Sequence, residues 1–187
     1  AYELGYRSQP EPWFSWDASL FFNQYEHLGS LQATPPGVLP IINSNRNWGE
    51  GYGLELGASV DVTPWWRLSG NYTFLQLQIH PGAGTLSFLG ATGEAVEGSS
   101  PHNQVFLMSS HDLADDIEFD FIGRYVDNLP FQRVSGYINL DMRLAWRPTR
   151  RTEIAVVGQN LLDAHHPEFA GGNQIKRGVY GMITHTW

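Results

Sequence analysis

Residues 137–146, Tyr137-Ile138-Asn139-Leu140-Asp141-Met142-Arg143-Leu144-Ala145-Trp146, decide the fold. Ile138, Leu140, Met142, Leu144 and Trp146 fall on one side of a two-residue repeat, and Asn139, Asp141, Arg143 and Ala145 on the other. Side chains alternate faces along a strand, so this stretch has one apolar and one polar face. Wound as a helix, the same residues would mix both characters on every side. The segment reads as a strand.

The same repeat recurs on both sides of it. In 117–125, Ile117, Phe119, Phe121 and Tyr125 oppose Glu118, Asp120 and Arg124. In 66–74, Trp66, Leu68, Tyr72 and Phe74 oppose Arg67, Ser69, Asn71 and Thr73. In 54–62, Leu54, Leu56, Ala58, Val60 and Val62 oppose Glu55, Ser59 and Asp61. Less regular versions occupy 2–9, 14–28, 103–112, 152–162 and 177–187, which makes about nine strands and no helix.

The connections alternate in length. Gln9–Pro12, Thr63-Pro64, Leu113–Asp116 and Arg147–Arg151 read as short turns, with Pro or Asp supplying the turn chemistry. Long Gly/Pro/Asn/Ser-rich loops are expected near 29–50, 80–101, 127–136 and 163–175. Short turns at one rim and long loops at the other are the habit of transmembrane β-barrels. Tryptophan adds a second constraint. Trp13, Trp16, Trp65, Trp66, Trp146 and Trp187, six of the seven, fall at the short-turn end of the strands, as an aromatic belt at a bilayer interface would place them.

Composition agrees. Charged residues make up only 16% of the 187 residues, against about 25% in an ordinary soluble domain. The net charge of −8 and the absence of a basic stripe exclude nucleic acid as a partner. No apolar run approaches the roughly 18 residues of a membrane helix. There is no Cys, hence no disulfide scaffold or thiolate metal site. Ala1-Tyr2-Glu3-Leu4 has neither the basic start nor the apolar core of a signal peptide, so an exported protein would have its beginning upstream.

Two architectures share this alternation. A soluble β-sandwich binding module would bury the apolar face in a core, whereas a membrane barrel would turn it to lipid and the charged face to the lumen. Aromatics at strand ends, opposite charges within single strands, and an ending inside a strand pattern favour the barrel.

Several segments then resemble the TonB-dependent outer-membrane receptors. Gly158-Gln159-Asn160-Leu161-Leu162-Asp163 is similar to the N-L-(F/L)-D motif of that family's penultimate strand. Val179-Tyr180-Gly181-Met182-Ile183-Thr184-His185-Thr186-Trp187 resembles its final strand. Tyr52-Gly53-Leu54-Glu55-Leu56 and Gly70-Asn71-Tyr72-Thr73-Phe74-Leu75 resemble an upstream hairpin. Glu3–Arg7 and Asp17–Tyr25 match the hairpin before that. The resemblance implies that residues 1–187 are the C-terminal portion of a barrel of roughly 22 strands, without the plug domain. It implies an assembly signal at Val179, Tyr180, Gly181, Ile183 and Trp187, and a family motif at Asn160, Leu161, Leu162 and Asp163. It also implies import of a scarce nutrient such as a ferric siderophore, with a passive porin as the alternative. The implied partners are outer-membrane lipid, the barrel-assembly machinery, TonB acting through an N-terminal part, and a small-molecule ligand such as a metal chelate. His185 stands where that family usually has an apolar residue, and Trp187 where Phe is commoner.

An odd set of strands does not close as an even antiparallel barrel, so an open curved sheet or an imperfect closure is expected. No catalytic residue, cofactor or metal site is expected. Ser110 and His111 are neighbours and so point to opposite faces. His165, His166 and Glu168 lack a third metal ligand and are expected in an exposed loop; His27, His80, His102 and His111 read as isolated strand-end or loop residues.

Overall fold

The computed structural model describes residues 1–33, 39–86 and 94–187. Its strands are β1 (Tyr2–Glu11), β2 (Phe14–Ala33), β3 (Ile41–Thr63), β4 (Trp66–His80), β5 (Asn103–Ala114), β6 (Ile117–Val126), β7 (Tyr137–Thr149), β8 (Thr152–Gln159), β9 (His165–His166), β10 (Ile175–Lys176) and β11 (Gly178–His185). A six-residue 3-10 turn, Glu94–Ser99, precedes β5.

Nine of these strands form one antiparallel up-and-down sheet in the order β1-β2-β3-β4-β5-β6-β7-β8-β11, open between β1 and β11. The two-residue strands β9 and β10 pair separately. Each neighbour runs opposite to the last, so the first and ninth strands run the same way. With that parity, joining its own edges would need a parallel pair. The expected nine strands and the open sheet are both present.

The turns at one rim are as short as the Pro and Asp positions imply. Glu11 pairs Phe14, Thr63 pairs Trp66, Ala114 pairs Ile117 and Thr149 pairs Thr152. The other rim differs from expectation. Residues 29–33 and 41–50 were expected in a loop, but they continue β2 and β3, which reach 20 and 23 residues. The hairpin stands well above its neighbours, since a membrane crossing needs only about 9–11 residues. Alternation fails to announce it because both faces of a ladder beyond the bilayer meet water, so no apolar face is required. Its foot is held by Asn47, only 2% exposed, whose amide donates to Gly29 O (3.1 Å) and accepts from Gly82 N (3.2 Å). The expected loop near 80–101 falls partly outside the described residues. The 127–136 loop closes on a Leu129–Val134 bridge.

Register fixes the two faces across the whole sheet. Ile117↔Trp146, Phe119↔Leu144 and Phe121↔Met142 lie on one face, and Asp120↔Arg143 and Arg124↔Asn139 on the other. Gly53 sits on that second face between Phe21 and Leu75. A Cβ there would lie 2.5 Å from the Phe21 ring, so glycine is needed for the ring to lie against the sheet.

Candidate functional site: the two faces of the wall

The apolar face has no second layer over it among the described residues. Leu4 (71% exposed), Leu107 (54%), Ile138 (58%) and Ile183 (74%) are bare, while the buried hydrophobics are Leu129, Val134, Ala145 and Ala155 alone. A sandwich would have covered this face. Burying it in hydrocarbon removes the exposed apolar area at about 25 cal/mol per Å². The soluble-module reading is therefore corrected.

Polar side chains on this face are tied to one another, as a hydrocarbon neighbour demands. Trp66 Nε1 donates to Ser109 Oγ (2.9 Å), which lies 3.3 Å from His111 Nε2; His111 Nδ1 lies 3.3 Å from Phe119 O. His111, expected to be isolated, thus sits inside β5 and stacks on Trp66 at 5.8 Å. Ser110 pairs with Asp120 on the opposite face, as alternation requires. His185 Nδ1 lies 3.0 Å from Thr152 Oγ1, so its polar atom is satisfied at a lipid-facing position. Trp13, Trp65 and Trp146 are each about half exposed beside the short turns, Trp187 is 98% exposed, and the Trp146 indole donates to Asp116 (2.9 Å). The exception is Trp48, which stacks on His80 at 4.0 Å at the opposite rim.

The other face carries an ionic lattice on β6, β7 and β8. Arg143 contacts Glu118 (2.9 Å), Asp120 (3.1 Å) and Glu153 (2.6 Å); Arg147 contacts Glu118 (2.7 Å) and Glu153 (3.1 Å). Two guanidiniums are shared among three carboxylates. Between them, the cross-strand pair Ala145↔Ala155 is 1% exposed on each side. Larger side chains there would lift the guanidiniums off the sheet. Sequence reading found the charges but missed the alanines, whose signal was their place inside a charged alternation. Beside the lattice lies an open concavity of about 1000 Å³, lined by Asp61, Arg67, Met108, Asp112, Glu118 and Asp120 among others. Carboxylates outnumber cations in it.

Towards the long-loop rim, Arg124 donates to Asp141 (2.7 Å) and lies 5.9 Å over the Phe106 ring. Asp127, beyond the end of β6, accepts from Asn103 Nδ2 (2.9 Å) and Asn128 N (2.9 Å). The Asn103 bond first, and the Asn128 bond second, hold its carboxyl below the usual carboxylate range. Stability from this depressed value is present above the unfolded value of about 3.9 and is lost as pH falls through the folded one.

The motif residues take structural posts. Asn160 is 1% exposed with φ 51°; its N–H donates to Asp141 Oδ1 (2.9 Å) and its Nδ2 to Ile175 O (3.1 Å). It ends β8 in the left-handed region, where asparagine is among the tolerated residues. Leu161 N donates to Leu140 O (2.9 Å), Leu162 is 53% exposed, and Asp163 is exposed. Asn160→Ala removes the hydrogen bond to Ile175 O, at a cost of roughly 0.5–1.5 kcal/mol. The expected readout is faster amide exchange in 163–177, with the remainder of the sheet unchanged.

His166 overturns one expectation. It was placed in an exposed loop, but it is 5% exposed, stacks on Tyr137 at 4.2 Å and lies 3.2 Å from Glu168 Oε1. The β9–β10 hairpin folds over the start of β7, where His166 stacks on Tyr137, which pattern reading of a long loop does not reveal. His165 remains exposed, and no group of three His, Asp or Glu side chains gathers for a metal among the described residues.

In the last strand, Val179, Gly181 and Ile183 share the apolar face through Gly158, Val156 and Ile154, while Tyr180 lies opposite with Val157. Trp187 follows the strand, its ring edge-on to His185 at 4.9 Å.

An apolar face without cover, a charged face with an acidic concavity, and aromatic residues at one rim define a section of transmembrane β-barrel wall. Residues 1–161 match the family described as TonB dependent receptor-like, beta-barrel. The chain belongs to that family. Its fold is also that of solved receptors. It superposes on the FrpB iron transporter from Neisseria meningitidis with TM-score 0.75 at 15% identity, covering 98% of this chain and 30% of that one. The pyoverdine outer membrane receptor FpvA from Pseudomonas aeruginosa PAO1 gives 0.73 at 14% identity, over 100% and 29%. The ferric-catecholate import receptor Fiu from E. coli K12 gives 0.71 at 19% identity, over 98% and 27%. The chain thus spans less than a third of each of these proteins. A search of curated proteins finds no match.

Proposed function

We propose that this chain is the C-terminal wall of an outer-membrane receptor that imports a scarce nutrient, such as a ferric siderophore, with energy delivered by TonB. The family supports the class, and iron transporters and siderophore receptors among the matched structures support the cargo. The observation that carries the reading is the pairing of a bare apolar face with an ionic lattice on the opposite face. A wall built this way separates hydrocarbon from a polar lumen. The excess of carboxylates in the concavity suits a basic surface of a plug seated in that lumen. TonB would act through that N-terminal part, and the ligand would meet the long-loop rim first.

The terminal residues Val179, Tyr180, Gly181, Ile183 and Trp187 are proposed to present the strand read by the barrel-assembly machinery. Asn160, Leu161, Leu162 and Asp163 are proposed to shape the loop entering it.

Residues 1–187 expressed alone should fail to restore iron-limited growth to a receptor-deficient strain, whereas the intact protein that carries them should restore it. Rescue by the wall alone would overturn the TonB-coupled reading in favour of passive diffusion. Recovery of residues 1–187 as a monodisperse monomer without detergent would overturn the membrane reading itself.

A further inference from the structure

We propose that the β7–β8 turn, at the short-turn rim that transmembrane barrels keep on the periplasmic side, binds the phosphate headgroup of an anionic glycerophospholipid in that leaflet through Arg150 and Arg151. The proposal rests on the outer-membrane reading above and adds a specific lipid site to it.

Basic residues at this end of β7 and β8 divide into two pairs. Arg143 and Arg147 point to the polar face and are occupied by Glu118, Asp120 and Glu153. Arg150 and Arg151 are exposed at the tip, and neither guanidinium has an ion pair or hydrogen bond among the described residues. Glu118 and Glu153 are held by the lattice, and Asp116 accepts from the Trp146 indole.

The turn is rigid without those side chains. Thr149 Oγ1 donates to Thr152 Oγ1 (3.1 Å), Arg151 N donates to Thr149 Oγ1 (3.3 Å), and Thr186 N donates to Arg151 O (2.9 Å). Two cations are therefore presented from a fixed backbone. Trp146, on the apolar face, and the exposed Trp187 set the depth. Indoles of a belt lie at headgroup level, so a turn just beyond them lies among the phosphates.

Sign selects the occupant. The chain as a whole carries −8, and the preceding turn offers Asp115 and Asp116 with no cation. The arginine turn is thus a local reversal of charge at the depth of lipid phosphate. A guanidinium fork matches phosphate oxygens in a bidentate way that a choline or ethanolamine group does not match.

The test uses the intact protein that carries these residues, reconstituted in nanodiscs of phosphatidylcholine with a minority of phosphatidylglycerol, with bound lipid counted by native mass spectrometry. The expected result is selective retention of phosphatidylglycerol by the wild type. Retention should fall by about fivefold for each arginine removed, so about 25-fold in R150A/R151A, while R150K/R151K keeps part of it. Inorganic phosphate in millimolar excess should not displace the lipid. Equal retention by wild type and R150A/R151A, or displacement by inorganic phosphate, would overturn the proposal. So would normal lipid retention in a double variant that assembles slowly, because the arginines would then face the assembly machinery. Failure of the wild type to insert at all would instead sink the outer-membrane reading, which separates the two failures.

Discussion

Leu107→Arg should prevent stable insertion, while Met108→Arg, one residue along the same strand, should be tolerated. Leu107 pairs with Gly123 on the apolar face near the middle of β5 and is 54% exposed with nothing over it. A charged side chain at the bilayer midplane of a barrel costs about 2–4 kcal/mol. Met108 points the other way, into the concavity that holds Asp112, Glu118 and Asp120. An arginine there gains carboxylate neighbours instead of losing water. The comparison is read as the fraction of heat-resistant barrel in outer-membrane preparations of the intact protein. Because the two positions are adjacent, local strand propensity cancels and only the face remains. Were the apolar face a water-excluded protein core, Leu107→Arg would still be harmful, but the protein would fractionate without the membrane. Equal tolerance of both substitutions would contradict the assignment of faces.

Arg143→Ala should be the most damaging change on the polar face. It removes three contacts at once, leaving Glu118 and Glu153 with Arg147 as their remaining guanidinium partner and Asp120 with none. Removing one partner of a buried ion pair costs roughly 3–5 kcal/mol. The side chains here keep 11–25% exposure, so a loss near the lower end, about 3 kcal/mol, is expected. Thermal unfolding of the intact barrel measures it. Pairing Arg143→Ala with Glu118→Gln and Asp120→Asn should return most of the loss, because the surplus carboxylates are the source of the penalty. If the triple variant is no more stable than Arg143→Ala, the damage comes from lost packing over Ala145 and Ala155, and the electrostatic account fails.

Much of this was legible in the residues. Strand alternation in 54–62, 66–74, 117–125 and 137–146 fixed which side chains share a face, because a two-residue repeat leaves no freedom once the strand is granted. Turn residues gave the short rim, and tryptophan positions gave its depth. The motif at Asn160–Asp163 was also visible, but its work was not. Only the tertiary structure shows Asn160 gripping Ile175, fifteen residues on.

The sequence by itself determined an all-β chain, nine crossing segments, two chemically opposed faces and the family, since each depends on local period or on short motifs. Tertiary structure decided what depends on contacts across strands. It extended β2 and β3 beyond the membrane, where water on both faces erases the apolar signal. It folded His166 inward and gathered Arg143 and Arg147 with three carboxylates from two other strands, over two buried alanines, because side chains far apart in the chain meet only across paired strands.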